Sequence, residues 1–241
     1  LSCQAKLEAD VVIDVRASSQ VHHQVIRKPH EDHDITIDPV VRAYFVEVPV
    51  PTLDEALGDL ERLQRALASD WELDVQSCEP AVVRSLQQVL AAGKRQVTVA
   101  VRNGRRIIAV WPGLKASLFG VAFDVGSTTI AAHLCNLTSG EVVASAGKMN
   151  PQIRYGEDLM SRVSYIMINP GGEEKLISSV RTAMNELLGE VVAEIGADTS
   201  DVVEITVVGN PIMQHLVLGI NPVELGTAPF ALATDSSVDV R

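Results

Sequence analysis

From Leu118 onward the apolar pattern changes period three times, and that order of periods constrains the fold more than any other feature of the chain. Three short runs alternate as strands do, at 119–124, 128–136 and 141–147. A short helical stretch follows at about 156–168 and ends at Asn169-Pro170, because the residue before a proline is pushed out of the helical region. A long helix is predicted at about 173–195. Its Leu176, Ile177, Val180, Met184, Leu187, Leu188, Val191 and Ile195 form one broad apolar stripe, and Gly196 stops it. Residues 202–208, VVEITVV, read as a buried strand that runs through Gly209-Asn210-Pro211 into another helix. A three-stranded meander followed by a helical crossover to a further, parallel strand is an α/β layout.

The preceding residues, 44–115, read as a separate α+β module of order β-α-α-β-β. YFVEVPV at 44–50 suggests a strand. In the following PTLDEALGDLERLQRAL, Thr52 and Glu55 form a capping-box pattern, and Leu53, Leu57, Leu60, Leu63 and Leu67 lie near one helical face. A second helix is expected from Pro80 to Ala92, with Val82, Val83, Leu86, Val89 and Leu90 inward and Gly93 as its stop. Asn103-Gly104 between two alternating apolar runs signals a hairpin. Nothing in this module suggests chemistry, and it reads as a structural or docking domain.

At the start of the chain, LEADVVIDV at 7–15 reads as a strand, while residues 16–43 lose periodicity and read as a linker. The linker holds His22, His23, His30 and His33 beside Glu31, Asp32 and Asp34. Four imidazoles beside carboxylates could bind a divalent metal, but a His-rich polar linker is the preferred reading, since no cysteine or helical spacing supports a metal site. Leu1 and Arg241 both read as cut points of a longer protein. A net charge of −11 argues against general attraction to nucleic acid or to an anionic membrane. No run reaches the length of a membrane span and no targeting signal opens the chain, so a cytoplasmic location is the expectation. Three widely spaced cysteines, Cys3, Cys78 and Cys135, do not make a disulfide framework. Cys78 and Cys135 sit among apolar neighbours as small core residues.

The turn between the first two strands of the meander has more small polar residues than a turn needs. It carries Asp124, Gly126, Ser127, Thr128 and Thr129. Glycine lets backbone approach a ligand closely, and successive N–H groups in such a turn form a concave nest for anions. Ser127, Thr128 and Thr129 add hydroxyl donors, and Asp124 ends the strand beside them. A carboxylate next to phosphates is a ligand for Mg²⁺, direct or through water. The set suits the terminal phosphates of Mg-ATP. Two further residues are weighed as catalytic. Asn210 lies where a strand ends and a helix begins, a place where ligands gather in α/β sheets. Asp158, with Glu157, opens a helix and would polarise an attacking water. Against these readings, Asn-Pro is a common helix start and acidic residues favour a helix's first turn. His133, on a strand, reads as structural.

The turn and its placement resemble the first phosphate loop of the actin, sugar-kinase and Hsp70-type ATPases, with 116–241 as the first ribonuclease-H-like half of such a domain. FDVGSTTIAAHL, NPQIRYGEDLMSRVSYI and VVGNPIMQHLVLGINPVELGTAPF, in that order, narrow the likeness. They resemble the ATPase domain of the reductive activators of corrinoid proteins. The module at 44–115 is similar to that family's middle domain, and residues 1–15 look like the end of its ferredoxin domain.

The resemblance implies ATP-dependent reductive activation of a corrinoid protein in a methyltransferase system, in which a [2Fe–2S] cluster supplies the electron that takes Co(II) to Co(I). It implies that Cys3 is the fourth cluster ligand, whose three companions would precede Leu1, so this chain alone lacks the cluster. It also implies that the second half of the nucleotide cleft follows Arg241, which leaves ATPase activity of this chain alone in doubt and exposes apolar surface that favours self-association. Alternatives of other classes are a kinase that uses the same phosphate loop and a non-catalytic nucleotide-gated binding module.

Overall fold

A computed structural model describes residues 36–240 as two mixed four-stranded sheets with helices packed on them. The α/β class expected from the sequence is the one observed. Cys3, His22, His23, His30, His33 and the strand expected at 7–15 lie outside the described residues.

The first sheet has strand order β1-β3-β4-β2, from β1 (Val41–Glu47), β2 (Ser77–Cys78), β3 (Gln96–Arg102) and β4 (Arg106–Pro112). Helices α1 (Asp59–Trp71) and α2 (Pro80–Ala92) cover it. The Asn103-Gly104 hairpin forms as expected, with φ of 52° and 67° at its two central residues. Three expectations are corrected and one strand is added. β1 begins at Val41, inside the span read as linker, and ends before Val50, which is exposed. α1 begins at Asp59 and not at Thr52, and Gly58 caps it without a side chain. Arg62 explains the difference: it is buried in α1, and its guanidinium draws Glu55 back through Nη1 to Oε2 at 2.9 Å and Nη2 to the carbonyl at 2.8 Å. Residues 51–58 therefore close over the helix instead of extending it, and Leu53 is exposed. Val83 is exposed, not inward, because the buried stripe of α2 is Val82, Leu86 and Leu90. β2 was missed; two residues paired parallel to β4 are too short to show a period.

The second sheet has order β7-β6-β5-β8, from β5 (Phe119–Val125), β6 (Thr129–Asn136), β7 (Val142–Met149) and β8 (Val202–Gly209). β5 pairs antiparallel with β6 and parallel with β8, as the crossover requires. Helices α3 (Leu159–Ile168), α4 (Gly172–Glu194) and α5 (Pro211–Leu218) bury their apolar sides against Val121, Phe123, Val125, Ile130, Ala132 and Leu134. Residues 151–155 form a separate 3-10 turn and α3 starts at Leu159, later than expected, because Asp158 caps it there. β8 is not buried. It is an edge strand, with Ile205 53% and Val208 57% exposed, and nothing among the described residues pairs with its far edge.

The two sheets meet at Leu118. It is buried with Val41 and Ala100 from the first sheet, against Trp111, Leu137 and Val203. Two ion pairs cross the same junction, Lys115 to Asp201 at 2.7 Å and Arg102 to Glu204 at 3.3 Å.

Candidate functional site

The site lies at the carboxyl ends of the two parallel strands, β5 and β8. Val121, Phe123 and Val125 of β5 face the helices, so period two puts Ala122 and Asp124 on the opposite face. Asp124 is half-buried there, in register with Ala131 of β6 and Val208 of β8. Gly126, Ser127 and Thr128 connect Val125 to Thr129, and Gly126 N–H donates to the Thr129 carbonyl at 2.9 Å. A Cβ at Gly126 would sit 2.7 Å from that oxygen, so only glycine closes the turn this tightly.

Two buried side chains hold the turn from beneath. Asn150, 1% exposed, donates from Nδ2 to the Gly126 carbonyl at 2.8 Å, and its own N–H donates to the Thr128 carbonyl at 2.8 Å. Arg162 of α3, 0% exposed, donates from Nη2 to the Ser127 carbonyl. Its Nε reaches the Gly156 carbonyl at 2.9 Å and its Nη1 reaches Oε1 of the buried Gln152 at 3.1 Å. Burial pushes its pKa down and the charge of Asp158 acts the other way, but a guanidinium keeps its proton. Sequence reasoning missed Asn150, Gln152 and Arg162. Arg162 alone carried a signal, a charged residue on the face of α3 that holds buried Val163 and Ile166.

Asn210 is brought to the turn and Asp158 to its support. Asn210 follows Gly209, the register partner of Val125, and caps α5 by accepting the Met213 N–H at 3.0 Å. Asp158 caps α3, accepting the Ser161 N–H at 2.7 Å while Ser161 Oγ accepts from the Asp158 N–H at 3.2 Å. That backbone hydrogen bond, more than any other contact, holds the Asp158 carboxyl below the usual range. His133 Nδ1 lies 2.8 Å from Ser145 Oγ on the neighbouring strand.

Cys78 and Cys135 are half-buried on different sheets, and burial raises both thiol pKa values. Protonated thiols on separate sheets do not fit an iron–sulfur cluster. No group of three or more His, Cys, Asp and Glu among the described residues is placed to hold a metal ion. No helix among them is long and apolar enough to cross a membrane.

Residues 119–241 match the family described as the RACo middle region, and residues 30–117 match the RACo linker region. Residues 44–115, likened above to the family's middle domain, thus fall in its linker region, and the middle region is the segment that carries the polar turn. The corrinoid activation enzyme RamQ of Eubacterium limosum is 27% identical over 233 residues, which cover 95% of this chain and 38% of that protein. A solved structure of a reductive activator for corrinoid, iron-sulfur protein superposes with a TM-score of 0.70 at 32% identity, covering 84% of this chain and 33% of that one. The chain therefore spans well under half the length of both relatives.

Proposed function

The chain belongs to the RACo family, and from that premise we propose that it is the linker and nucleotide-binding part of an ATP-dependent activator of a corrinoid protein. The partner is the corrinoid protein of a methyltransferase system, inactive as Co(II) and restored by one electron to Co(I). The similarity to a corrinoid activation enzyme and to a reductive activator for corrinoid, iron-sulfur protein supports corrinoid activation. The single observation that supports nucleotide binding is the turn at 126–128. Its carbonyls are drawn inward beside a carboxylate, at the end of two parallel strands.

When bound, Mg-ATP supplies the free energy for an uphill reduction. This chain's own residues do the holding. The turn receives the terminal phosphates through backbone N–H and the hydroxyls of Ser127, Thr128 and Thr129. Asp124 would hold a Mg²⁺ brought by the nucleotide, directly or through water. Nucleotide state changes the grip on the corrinoid protein, because a ligand shifts an equilibrium only through its different affinities for two states. Cys78 and Cys135, on separate sheets, are not placed to share a [2Fe–2S] cluster, and Cys3 is its proposed ligand from the likeness to the family.

Absorbance of Co(I) tests the proposal. The full-length protein is mixed with its Co(II) corrinoid partner and a low-potential reductant, with Mg-ATP, Mg-ADP or neither. Co(I) accumulating with Mg-ATP alone supports it. Equal reduction in all three sinks it.

A further inference from the structure

We propose that Arg162 is the positioning residue and built-in counter-charge of the turn at 126–128, making it a receptor for the phosphates of Mg-ATP. The inference rests on the nucleotide reading above and deepens it. In a trans peptide the carbonyl and the following N–H point in opposite directions. Asn150 takes the Gly126 carbonyl and Arg162 takes the Ser127 carbonyl, both from the helix side. Those two bonds aim the N–H groups of Ser127 and Thr128 away from the protein, and among the described residues nothing accepts from either. The outward nest is thus set by the two buried donors below it.

Arg162 adds charge to geometry. All of its acceptors are neutral: the Ser127 and Gly156 carbonyls, Gln152 Oε1 and, at 3.7 Å, the Met213 sulfur. Among the described residues it forms no ion pair, unlike buried Arg62, which has Glu55. Asp158 acts on it only from beyond ion-pair distance, and a buried cation with no carboxylate in contact is costly, so an anion seated on the nest, across one peptide layer, is the counter-ion its position favours. The bond from Nη2 also polarises the Ser127–Thr128 peptide, strengthening its N–H as a donor.

Gln152→Glu separates charge from scaffolding. It keeps every bond from Arg162 to the turn and gives the guanidinium an internal carboxylate at the 3.1 Å contact. A purely structural Arg162 would leave ligand affinity unchanged. The proposal expects Mg-ATP affinity, by calorimetry on the full-length protein, to fall at least about tenfold, the scale of one added charge a few ångströms away. Adenosine, without phosphates, should bind as it does to the wild type. Arg162→Lys is the second variant, should the carboxylate facing the Leu176 carbonyl prevent folding. One ammonium cannot serve three separated acceptors, so amides 126–129 should exchange faster and Mg-ATP affinity should again fall. A folded variant of either kind that binds Mg-ATP like the wild type overturns the proposal and leaves the nucleotide reading standing. Wild-type protein that does not bind Mg-ATP overturns both.

Discussion

Val125 and Gly209 are register partners in adjacent parallel strands, so the polar turn after one and the helix start after the other leave the sheet side by side. Gly209 makes the approach possible. A Cβ there would lie 2.9 Å from the Val125 carbonyl oxygen and 3.3 Å from Met213 Cβ. Gly209→Ala should therefore destabilise the second sheet by about 1–3 kcal/mol, the usual cost of overpacking. Urea unfolding measures this. An unchanged midpoint would show that the two strand ends have room to part.

Acid should unfold the protein partly through the cap of α3. The hydrogen bond from the Ser161 N–H, above all, lowers the folded pKa of Asp158. A depressed carboxyl stabilises when ionised: its contribution is complete above the unfolded value of about 3.9 and disappears as pH falls through the folded value. Asparagine caps equally well without titrating. Asp158→Asn should match the wild type near neutral pH and lose less stability than it does below about pH 4. Parallel pH profiles would remove the cap from the acid response. Because the carboxylate is engaged in the cap, the same variant should also keep nucleotide binding.

The outer edge of β8 should make this 241-residue chain self-associate. An unpaired strand flanked by exposed Ile205, Val207 and Val208 is a template for pairing with another chain. Val208→Lys should reduce concentration-dependent association in sedimentation, with a stability change within about 0.5 kcal/mol, as for most exposed positions. A wild-type chain that stays monomeric at all concentrations would contradict this.

The period of the sequence made the second sheet legible. β5, β6, β7, α4 and the parallel β8 each fall within two residues of expectation at either end, because strong alternation and a long helical stripe leave little freedom. The polar turn was legible as a surplus of small polar groups. What lay beneath it was not. Asn150 and Arg162 come from other segments, Gln152 braces Arg162, and the meeting of the two donors with the turn is a tertiary event that no local pattern announces. The same holds for α1, whose apparent capping box at Thr52 and Glu55 lost to the pull of Arg62 on Glu55. The exposure of β8 was hidden for a different reason: VVEITVV reads as buried because its apolar residues suit a strand covered on both sides, and the described residues leave one edge and much of both faces open.

The most direct test of the account is calorimetric titration of the full-length protein with Mg-ATP, wild type against Asp124→Ala. The account predicts that the wild type binds and that the variant loses most of its affinity while keeping its fold, since Asp124 lies on the face away from the helical core. Equal binding by the two proteins would mean that the turn after Val125 holds no metal-bound phosphate, and the nucleotide-dependent part of the proposed function would fall with it.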